Sequence, residues 1–348
     1  MSRNFPIVSI VTPCYNGSSY LHRYFSSVLQ QSYPAIQLIF VDDGSTDDTF
    51  AIASYYENAL KTRGIDFELI HQSNQGQAAA LNAGFQKVVG KYITWPDSDD
   101  LMMANCIASK VSYLEQHPEK GFVRSGLEIV NNHDIDQVIE RQITSSDTSP
   151  FIFEDLIYDK SPFYSGIAYM VRTDVLFEAI NGRHIYESRG GQNWQILIPL
   201  AYTSQCGFIE EPLAKYVIRA NSHSRSFNSP EKDLQHVYEQ EDILRHILKD
   251  LPLSPQEYQY YTHYIYLKYQ KKKFWLALAL DKRNLIERVN LALDSEKCKY
   301  PRIRAFIVLL TQMGLGPMLY QIKTKFSRAM RLINQLFDVS LFRNNSSR

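Results

Sequence analysis

The feature that most constrains the fold is an alternation of short apolar runs and helical segments within the first 95 residues. Apolar runs rich in β-branched residues lie at 7–12 (IVSIVT), 36–41 (IQLIFV), 66–70 (DFELI) and 91–95 (KYITW). Segments with helical periodicity lie between them, at roughly 19–31, 47–62 and 77–89. This alternation predicts a parallel sheet with helices on both faces.

A polar segment follows each of the four predicted strands. In chain order these segments are TPCYNG, DDGSTDD, HQSNQGQ and PDSDD. Because ligands of open parallel sheets bind outside the carboxyl ends of the strands, we expect the four segments to form one site.

Two carboxylates, Asp97 and Asp99, stand one residue apart after the fourth strand. Such hard oxygen ligands suit Mg²⁺ or Mn²⁺, and phosphate oxygens would complete the coordination shell. The structural alternative is that these acids precede a helix at 101–117 and stabilise its N-terminus. For Asp100 that alternative is a sufficient explanation.

Asp42 and Asp43 close the second strand. One of these carboxylates is suited to accept a hydrogen bond from a pyrimidine N–H or a ribose hydroxyl. Gly44 permits the turn, and Ser45 or Thr46 can cap the next helix. After the first strand, Tyr15 could stack on a base, although a packed tyrosine is the ordinary explanation in a chain with 23 of them.

The pattern changes after about residue 120. Strands are predicted at 121–130, 137–143, 165–172 and 206–219, the last as one strand or a hairpin, and helices at 151–158 and 192–204. From Pro230 onward the segments are helical, at 230–250, 254–278, 281–294 and 301–337. We therefore expect an α/β domain over 1–228 and a helical region over 229–348.

Charge and cysteine content narrow the class of protein. The four cysteines lie far apart without a C-x-x-C pair, which fits a reducing cytosol. The net charge is zero, but residues 299–348 carry nine Lys/Arg and one acid, so the rest of the chain is acidic. Nucleic acid is therefore not an expected partner.

The uncharged run 305–322 is diluted by polar residues, which favours an interfacial helix on an anionic membrane over a spanning one. The alternative is a helical subdomain packed on the core.

The motifs TPCYNG, FVDDGSTDDT, NQGQAAALNAG and GKYITWPDSDD, in this order and spacing, resemble glycosyltransferase family 2 over roughly residues 5–225. The resemblance implies the α/β GT-A fold, with a Rossmann-like, mostly parallel central sheet flanked by helices. It also implies inverting transfer from a nucleotide-sugar, UDP-linked, to a glycan or lipid-linked acceptor with Mn²⁺ or Mg²⁺. The expected setting is polysaccharide assembly in the cytoplasm or at the inner face of the plasma membrane.

The resemblance also implies roles for residues that match the family motifs. The nucleoside would be held by Pro13, Tyr15 and Asp43, with Asp42 close by and Gln75 and Gly76 near the nucleotide. Asp99 would ligate the metal, and Asp97 would bind ribose or join the metal shell. Leu81 stands where many relatives carry an arginine, so one phosphate contact is missing. Arg219 stands where relatives often carry a histidine and would contact the diphosphate, with His223 as an alternative contact or a plain surface histidine.

The least family-like stretch is ESRGGQNWQI at 187–196. Relatives present a catalytic base where this chain has Asn193, and an asparagine cannot accept the proton at neutral pH. Three hypotheses remain: Glu187 reaches the acceptor across Gly190 and Gly191, another acid such as Asp97 does the work, or the chain binds a sugar nucleotide without catalysis.

The other side chains of this stretch each have two interpretations. Gln192 and Asn193 could hydrogen-bond sugar hydroxyls or cap the helix, and Trp194 could stack on a sugar or pack in the core. A nucleotidyltransferase is the competing enzyme class. It is disfavoured because TPCYNGSSY lacks a glycine-rich, basic phosphate loop.

Overall fold

The structure is a computed structural model that describes residues 5–143, 145, 148–160, 165–188, 190–219, 229–295 and 308–325. Contacts divide the chain into two units, Met1–Ser222 and His223–Arg348. The predicted boundary at 228/229 stays a prediction, because 220–228 lie outside the described residues.

The first four strands are parallel, as the alternation predicts. They are β1 (Val8–Cys14), β2 (Ile36–Asp42), β3 (Asp66–His71) and β4 (Tyr92–Thr94). β1 lies between β2 and β4, and β3 pairs with the outer side of β2. The register sets Cys14 beside Asp42 and Asp42 beside His71, so three strands end level with one another. The polar segments that follow them therefore start from one edge of the sheet.

Three helices connect these strands: α1 (Leu21–Leu29), α2 (Thr49–Thr62) and α3 (Gln77–Phe85). α1 buries Leu21, Tyr24, Phe25 and Val28, the i, i+3, i+4, i+7 face of an amphipathic helix. α3 lies close against β1 at Gly84, where an added Cβ would come within 2.4 Å of Val11 Cγ1. Gly84 therefore fixes how closely α3 approaches the sheet.

The second half of the first unit adds antiparallel strands. Its elements are β5 (Leu101–Met102), α4 (Cys106–Gln116), β6 (Phe122–Asn131), β7 (Asp134–Gln142), α5 (Phe153–Ile157), β8 (Tyr169–Arg172), α6 (Thr173–Ala179), α7 (Gln192–Thr203) and β9 (Cys206–Ile218). The sheet order is β3-β2-β1-β4-β8-β6-β9-β5, with β7 beside β6. β8 runs antiparallel to β4 and β6, whereas β9 runs parallel to β6. The segment 206–219 is thus one strand rather than a hairpin.

The prediction of a helix over 101–117 is wrong in its first turn. Leu101 and Met102 are buried and pair with β9, and the helix begins only at Cys106, after the N-cap Asn105. Asp100 therefore does not cap a helix. Residues 165–168 likewise precede β8 and include a 3₁₀ turn at Gly166–Ala168.

The described part of the second unit is helical, as predicted for the region after Pro230. Its helices are α8 (Pro230–Asp250), α9 (Pro255–Ala279), α10 (Arg283–Ser295), α11 at 308–312 and α12 (Gly316–Lys325). The segment predicted at 301–337 is not one helix, because it is interrupted at 313–315, and its residues 301–307 and 326–337 lie outside the described residues. α8 and α9 each begin with a capping serine followed by proline, which is a strong helix-start signal. Phe274, Leu278, Ile286 and Val289 form a core between α9 and α10.

Over the described residues, no helix is long and apolar enough to cross a membrane. Seven of the nine basic residues of the tail lie at 299–304 or beyond residue 325, outside the described residues. The predicted membrane contact of the tail therefore stays a prediction.

Candidate active site

The segments after β1 and β2 are joined by hydrogen bonds. Asn16 N donates to Ser45 Oγ at 2.9 Å, and Thr46 N donates to Asn16 Oδ1 at 2.9 Å. Ser45 and Thr46 serve this junction and do not cap α2, which begins at Thr49. Tyr15 is 49% exposed beside the junction, so it is not a packed core tyrosine.

Asp43 joins the second segment to the third. Its Oδ1 accepts from Gln72 Nε2 at 2.8 Å and from Gln75 N at 3.0 Å, and its Oδ2 accepts from Gly76 N at 2.8 Å. Gly76 has φ +96°, a conformation that favours glycine. A carboxylate has about four acceptor sites, so these three bonds leave one on Asp43, whose side chain is only 3% exposed.

Asp42 is directed into the protein. Its side chain is fully buried, and its two oxygens accept from Ser45 N at 3.1 Å and pair with His71 Nδ1 at 2.8 Å. This placement does not support direct contact between Asp42 and a nucleotide. His71, which is half-exposed, was not predicted, although it occupies the register position opposite Asp42. Pro13 is buried within β1.

The segment after β4 holds Asp97, Asp99 and Asp100 and is called the D-x-D segment below. Two of its acids face the site, and one supports it. Asp97 and Asp99 are partly exposed, and Asp97 Oδ1 accepts from Gln77 Nε2 at 2.5 Å. Burial and the neighbouring Asp99 carboxylate raise the pKa of Asp97 to about 7. Asp100 is buried and accepts from Val217 N at 3.0 Å and Ser165 Oγ at 3.1 Å, so it anchors the segment to β9.

Arg219 contacts Asp99 in this structure, and its predicted contact with a diphosphate stays a prediction. Its Nε and one terminal nitrogen lie 2.7 and 2.5 Å from Asp99 Oδ2. The guanidinium also lies 4.3 Å from the centre of the Tyr20 ring. Tyr20 belongs to the turn before α1 and was not predicted as a site residue. His223 lies outside the described residues.

The donor set near the D-x-D segment fits a divalent cation that binds together with a ligand. Among the described residues, no group of three or more His, Cys, Asp or Glu side chains is placed to hold a metal. Asp97 and Asp99 offer carboxylate oxygens, and Mg²⁺ or Mn²⁺ commonly combines one or two carboxylates with phosphate oxygens and water. These two residues therefore suit a metal that is shared with a diphosphate.

Asn193 is held at the end of β4. Trp95, which stands two residues before Asp97 in the chain, donates from its Nε1 to Asn193 Oδ1 at 2.8 Å. The N-cap of α7 is Gly191, and no side chain caps the helix, so the capping role considered for Gln192 and Asn193 is not found. Trp194 is only partly buried, which does not fit a core tryptophan.

Glu187 lies on a segment that is fixed to α3. Asn82 of α3 receives a hydrogen bond from Ile185 N at 2.8 Å and donates to Ile185 O at 2.9 Å. The Glu187 side chain is 52% exposed, and Glu187 Oε1 lies 4.0 Å from His184 Nε2. Gln77, which binds Asp97, is the first residue of the same helix.

The sequence did not indicate the role of Asn82, because an asparagine within a helix has no sequence signature for hydrogen bonds to a distant backbone. Nearby, Gly190 O accepts from Ser188 Oγ at 2.6 Å.

Comparisons with known proteins agree with this fold. An uncharacterized glycosyltransferase of Haemophilus influenzae is 39% identical over 114 residues, which are 33% of this chain and 44% of that protein. S. aureus TarS 1-349, in complex with UDP-GlcNAc, has a TM-score of 0.57 at 15% identity, covering 92% of both chains. Mannosyltransferase PcManGT from Pyrobaculum calidifontis, in complex with GDP-Man and Mn²⁺, has a TM-score of 0.53 at 15% identity, covering 94% of this chain and 89% of that one.

The curated relatives are longer than the matched part. The chain spans 44%, 19% and 38% of the length of three of them. A family model described as Glycosyl transferase family 2 matches residues 9–178, the range that holds β1 to β4 and the four polar segments. Residues 9–178 thus form a glycosyltransferase family 2 domain, in a structure that shares the GT-A fold with TarS.

Proposed function

We propose that this chain is an inverting glycosyltransferase that moves a sugar from a UDP-sugar to a glycan or lipid-linked acceptor in polysaccharide assembly. The observation that carries the proposal is the network that joins the polar segments after β1, β2 and β3 through Asn16 and Asp43. The next segment along the sheet edge holds the D-x-D carboxylates. The choice of UDP is supported by TarS, which has the same fold and was solved with UDP-GlcNAc.

The nucleoside would lie over the segments after β1, β2 and β3. The remaining acceptor site of Asp43 would take a hydrogen from the base or ribose, and the exposed ring of Tyr15 would stack on the base. Pro13, Gln75 and Gly76 would shape the same pocket.

Asp97 and Asp99 would hold Mn²⁺ or Mg²⁺ together with the donor diphosphate. The bound metal would neutralise the charge that develops on the departing nucleoside diphosphate. PcManGT, which was solved with Mn²⁺, supports the choice of a divalent cation. Arg219, and His223 as its alternative, would add positive charge near the phosphates.

The acceptor would lie beside the start of α7, where Gly190, Gly191, Gln192 and Trp194 surround Asn193. The Asn193 amide would hydrogen-bond an acceptor or sugar hydroxyl. We assign the role of general base to Glu187, because its segment is clamped to α3 by Asn82 and that helix starts at the D-x-D carboxylates. The Glu187 side chain is 52% exposed, so an acceptor hydroxyl could reach its carboxylate.

A second candidate function is binding of a sugar nucleotide without transfer. It is favoured by the amide of Asn193 at the position where the family resemblance calls for an acid. In that case the chain would bind nucleotide with metal but release no nucleotide from any sugar donor when acceptor is present.

The test is a panel of UDP-, GDP- and TDP-sugars with Mn²⁺ or Mg²⁺, with released nucleotide as the readout. We expect release from a UDP-sugar that depends on metal and is abolished in Asp99→Ala. Nucleotide binding by calorimetry separates the two functions. Binding without release across the panel supports the non-catalytic candidate, whereas loss of both contradicts the nucleotide site.

We also propose that the chain works in the cytoplasm, with the basic tail at 299–348 in contact with an anionic membrane surface. Flotation of the full chain with anionic and with neutral vesicles tests this placement. Equal recovery with both vesicle types would contradict it.

A further inference from the structure

Arg219 is held by two contacts at once. Two of its guanidinium nitrogens lie on the same oxygen of Asp99, at 2.7 and 2.5 Å. The face of the guanidinium lies over Tyr20, a tyrosine that is only 6% exposed. The two paired side chains are themselves only 26% and 17% exposed. The ion pair is therefore shielded from water and less screened than a surface pair.

This contact places a positive charge where a metal is expected. A divalent cation at Asp99 must approach a carboxylate that has one oxygen engaged by a guanidinium. The cation must also overcome repulsion from that guanidinium across a partly buried, low-dielectric space. Metal binding by the protein alone is therefore disfavoured.

We propose that Arg219 makes metal binding conditional on the donor, by exchanging Asp99 for the donor diphosphate. The inference rests on the proposed function, because it takes Asp99 as the metal ligand. A diphosphate offers anionic oxygens that match the planar fork of a guanidinium, so it competes directly with Asp99. Once the guanidinium turns to the phosphates, the Asp99 oxygen that it held would become available to the metal.

The exchange couples the two ligands thermodynamically. If UDP raises the affinity for metal, metal raises the affinity for UDP by the same factor. Part of that factor comes from direct contact between metal and phosphate and is independent of Arg219. The part due to the exchange disappears when Arg219 is replaced by a neutral residue.

Arg23 provides a matched control. It lies in α1. Burial lowers the pKa of its guanidinium, the charge of Asp99 acts to raise that pKa, and the charge of Arg219 acts to lower it. Its hydrogen bonds, however, go to the side chain and backbone of Asn132 and not to Asp99. Replacing Arg23 removes a nearby positive charge without freeing an Asp99 oxygen.

The experiment measures Mn²⁺ binding by electron paramagnetic resonance, with and without UDP. The proteins are the unmodified chain, Arg219→Gln, Arg23→Gln and Asp99→Asn, with circular dichroism as the check on folding. We expect Arg219→Gln to bind Mn²⁺ alone about tenfold more tightly than the unmodified chain, within the usual size of such couplings. UDP should then raise its Mn²⁺ affinity by a smaller factor. Arg23→Gln should change little, and Asp99→Asn should lose binding.

Two results would overturn the exchange while leaving the metal site in place. One is an Arg219→Gln affinity that is unchanged or weaker, with UDP-dependent binding still lost in Asp99→Asn. The other is an equal gain in Arg23→Gln, which would mean that any nearby charge has the same effect. If the unmodified chain binds no Mn²⁺ even with UDP, the metal site itself is contradicted, and the exchange with it. If Arg219→Gln does not fold, Arg219→Met replaces it, and the same changes in Mn²⁺ affinity are expected.

Discussion

The indole N–H of Trp95 donates to the side-chain oxygen of Asn193 at 2.8 Å, across 98 residues of sequence. An indole nitrogen can only donate, so the oxygen of Asn193 must face Trp95 and its NH₂ group must point away. Trp95 directly follows β4 and leads to the D-x-D segment. The hydrogen bond therefore connects that segment to the first turn of α7. The first turn of α7, which carries Asn193 where the family resemblance calls for an acid, is therefore held at the site by an amide.

Replacing Asn193 should therefore reduce stability. Trp95 is only 2% exposed, so Asn193→Ala leaves its indole N–H without an acceptor at a cost of about 1–3 kcal/mol. Asn193→Asp keeps an oxygen at the same place and should lose less. Urea denaturation measures both variants, and an equal loss in the two would mean that the hydrogen bond is not the cause.

Glu187→Gln should lower turnover by a factor of about 10²–10⁴ while UDP binding stays unchanged, because only the proton acceptor is lost. His184, which lies 4.0 Å from Glu187, gives a control, since His184→Gln leaves the carboxylate in place. The measurement is kcat with the cognate donor, together with UDP affinity by calorimetry. Near-normal turnover in Glu187→Gln would rule this residue out as the base.

Asp43→Ala should release the segment after β3. Two backbone N–H groups, of Gln75 and Gly76, and the side-chain amide of Gln72 all lose their acceptor. We expect faster hydrogen exchange across 72–77 and loss of UDP binding. Asp48→Ala is the control, because Asp48 is exposed and its side chain makes no capping hydrogen bond. If Asp43→Ala left the rate of hydrogen exchange across 72–77 unchanged, the hydrogen bonds of Asp43 would not be what holds this segment.

The protein should lose stability as the pH rises above about 9. Burial raises the pKa of both Cys14 and Cys206 to about 12, whereas an unfolded cysteine ionises near about 8.5. Between these values the folded state binds more protons, so unfolding releases protons and the free energy of unfolding falls with pH. Each thiol contributes about 1.4 kcal/mol per pH unit within that window.

Urea titrations from pH 7 to pH 10.5 measure this loss. Cys206→Ala should show a shallower decline than the unmodified chain, because one of the buried thiols no longer titrates. The comparison uses the slope with pH, so the cavity left by the substitution does not affect it. Identical slopes would mean that the Cys206 thiol ionises in the folded state as readily as in the unfolded chain.

The strands β1 to β4, the helices between them and the helical second unit follow from the sequence, because each has a periodic pattern over several turns or residues. β5 does not, since a strand of two residues has no period of its own. Leu101 lies in a strand only because Lys215 of β9 pairs with it, and the sequence alone favours a helix there. Asp100 was assigned to a helix start for the same reason, and it binds Val217 and Ser165 instead.

The sequence by itself determined that four polar segments meet at one edge of a parallel sheet, and that Asp43, Asp97 and Asp99 are among them. That much depends on local hydrophobic periodicity and on the common direction of parallel strands. Only the tertiary structure decided the partner of each polar side chain: Arg219 with Asp99 across 120 residues, Trp95 with Asn193 across 98, and Asn82 with Ile185 across 103. A hydrogen bond forms within a few tenths of an ångström, and packing of distant elements sets positions to that precision.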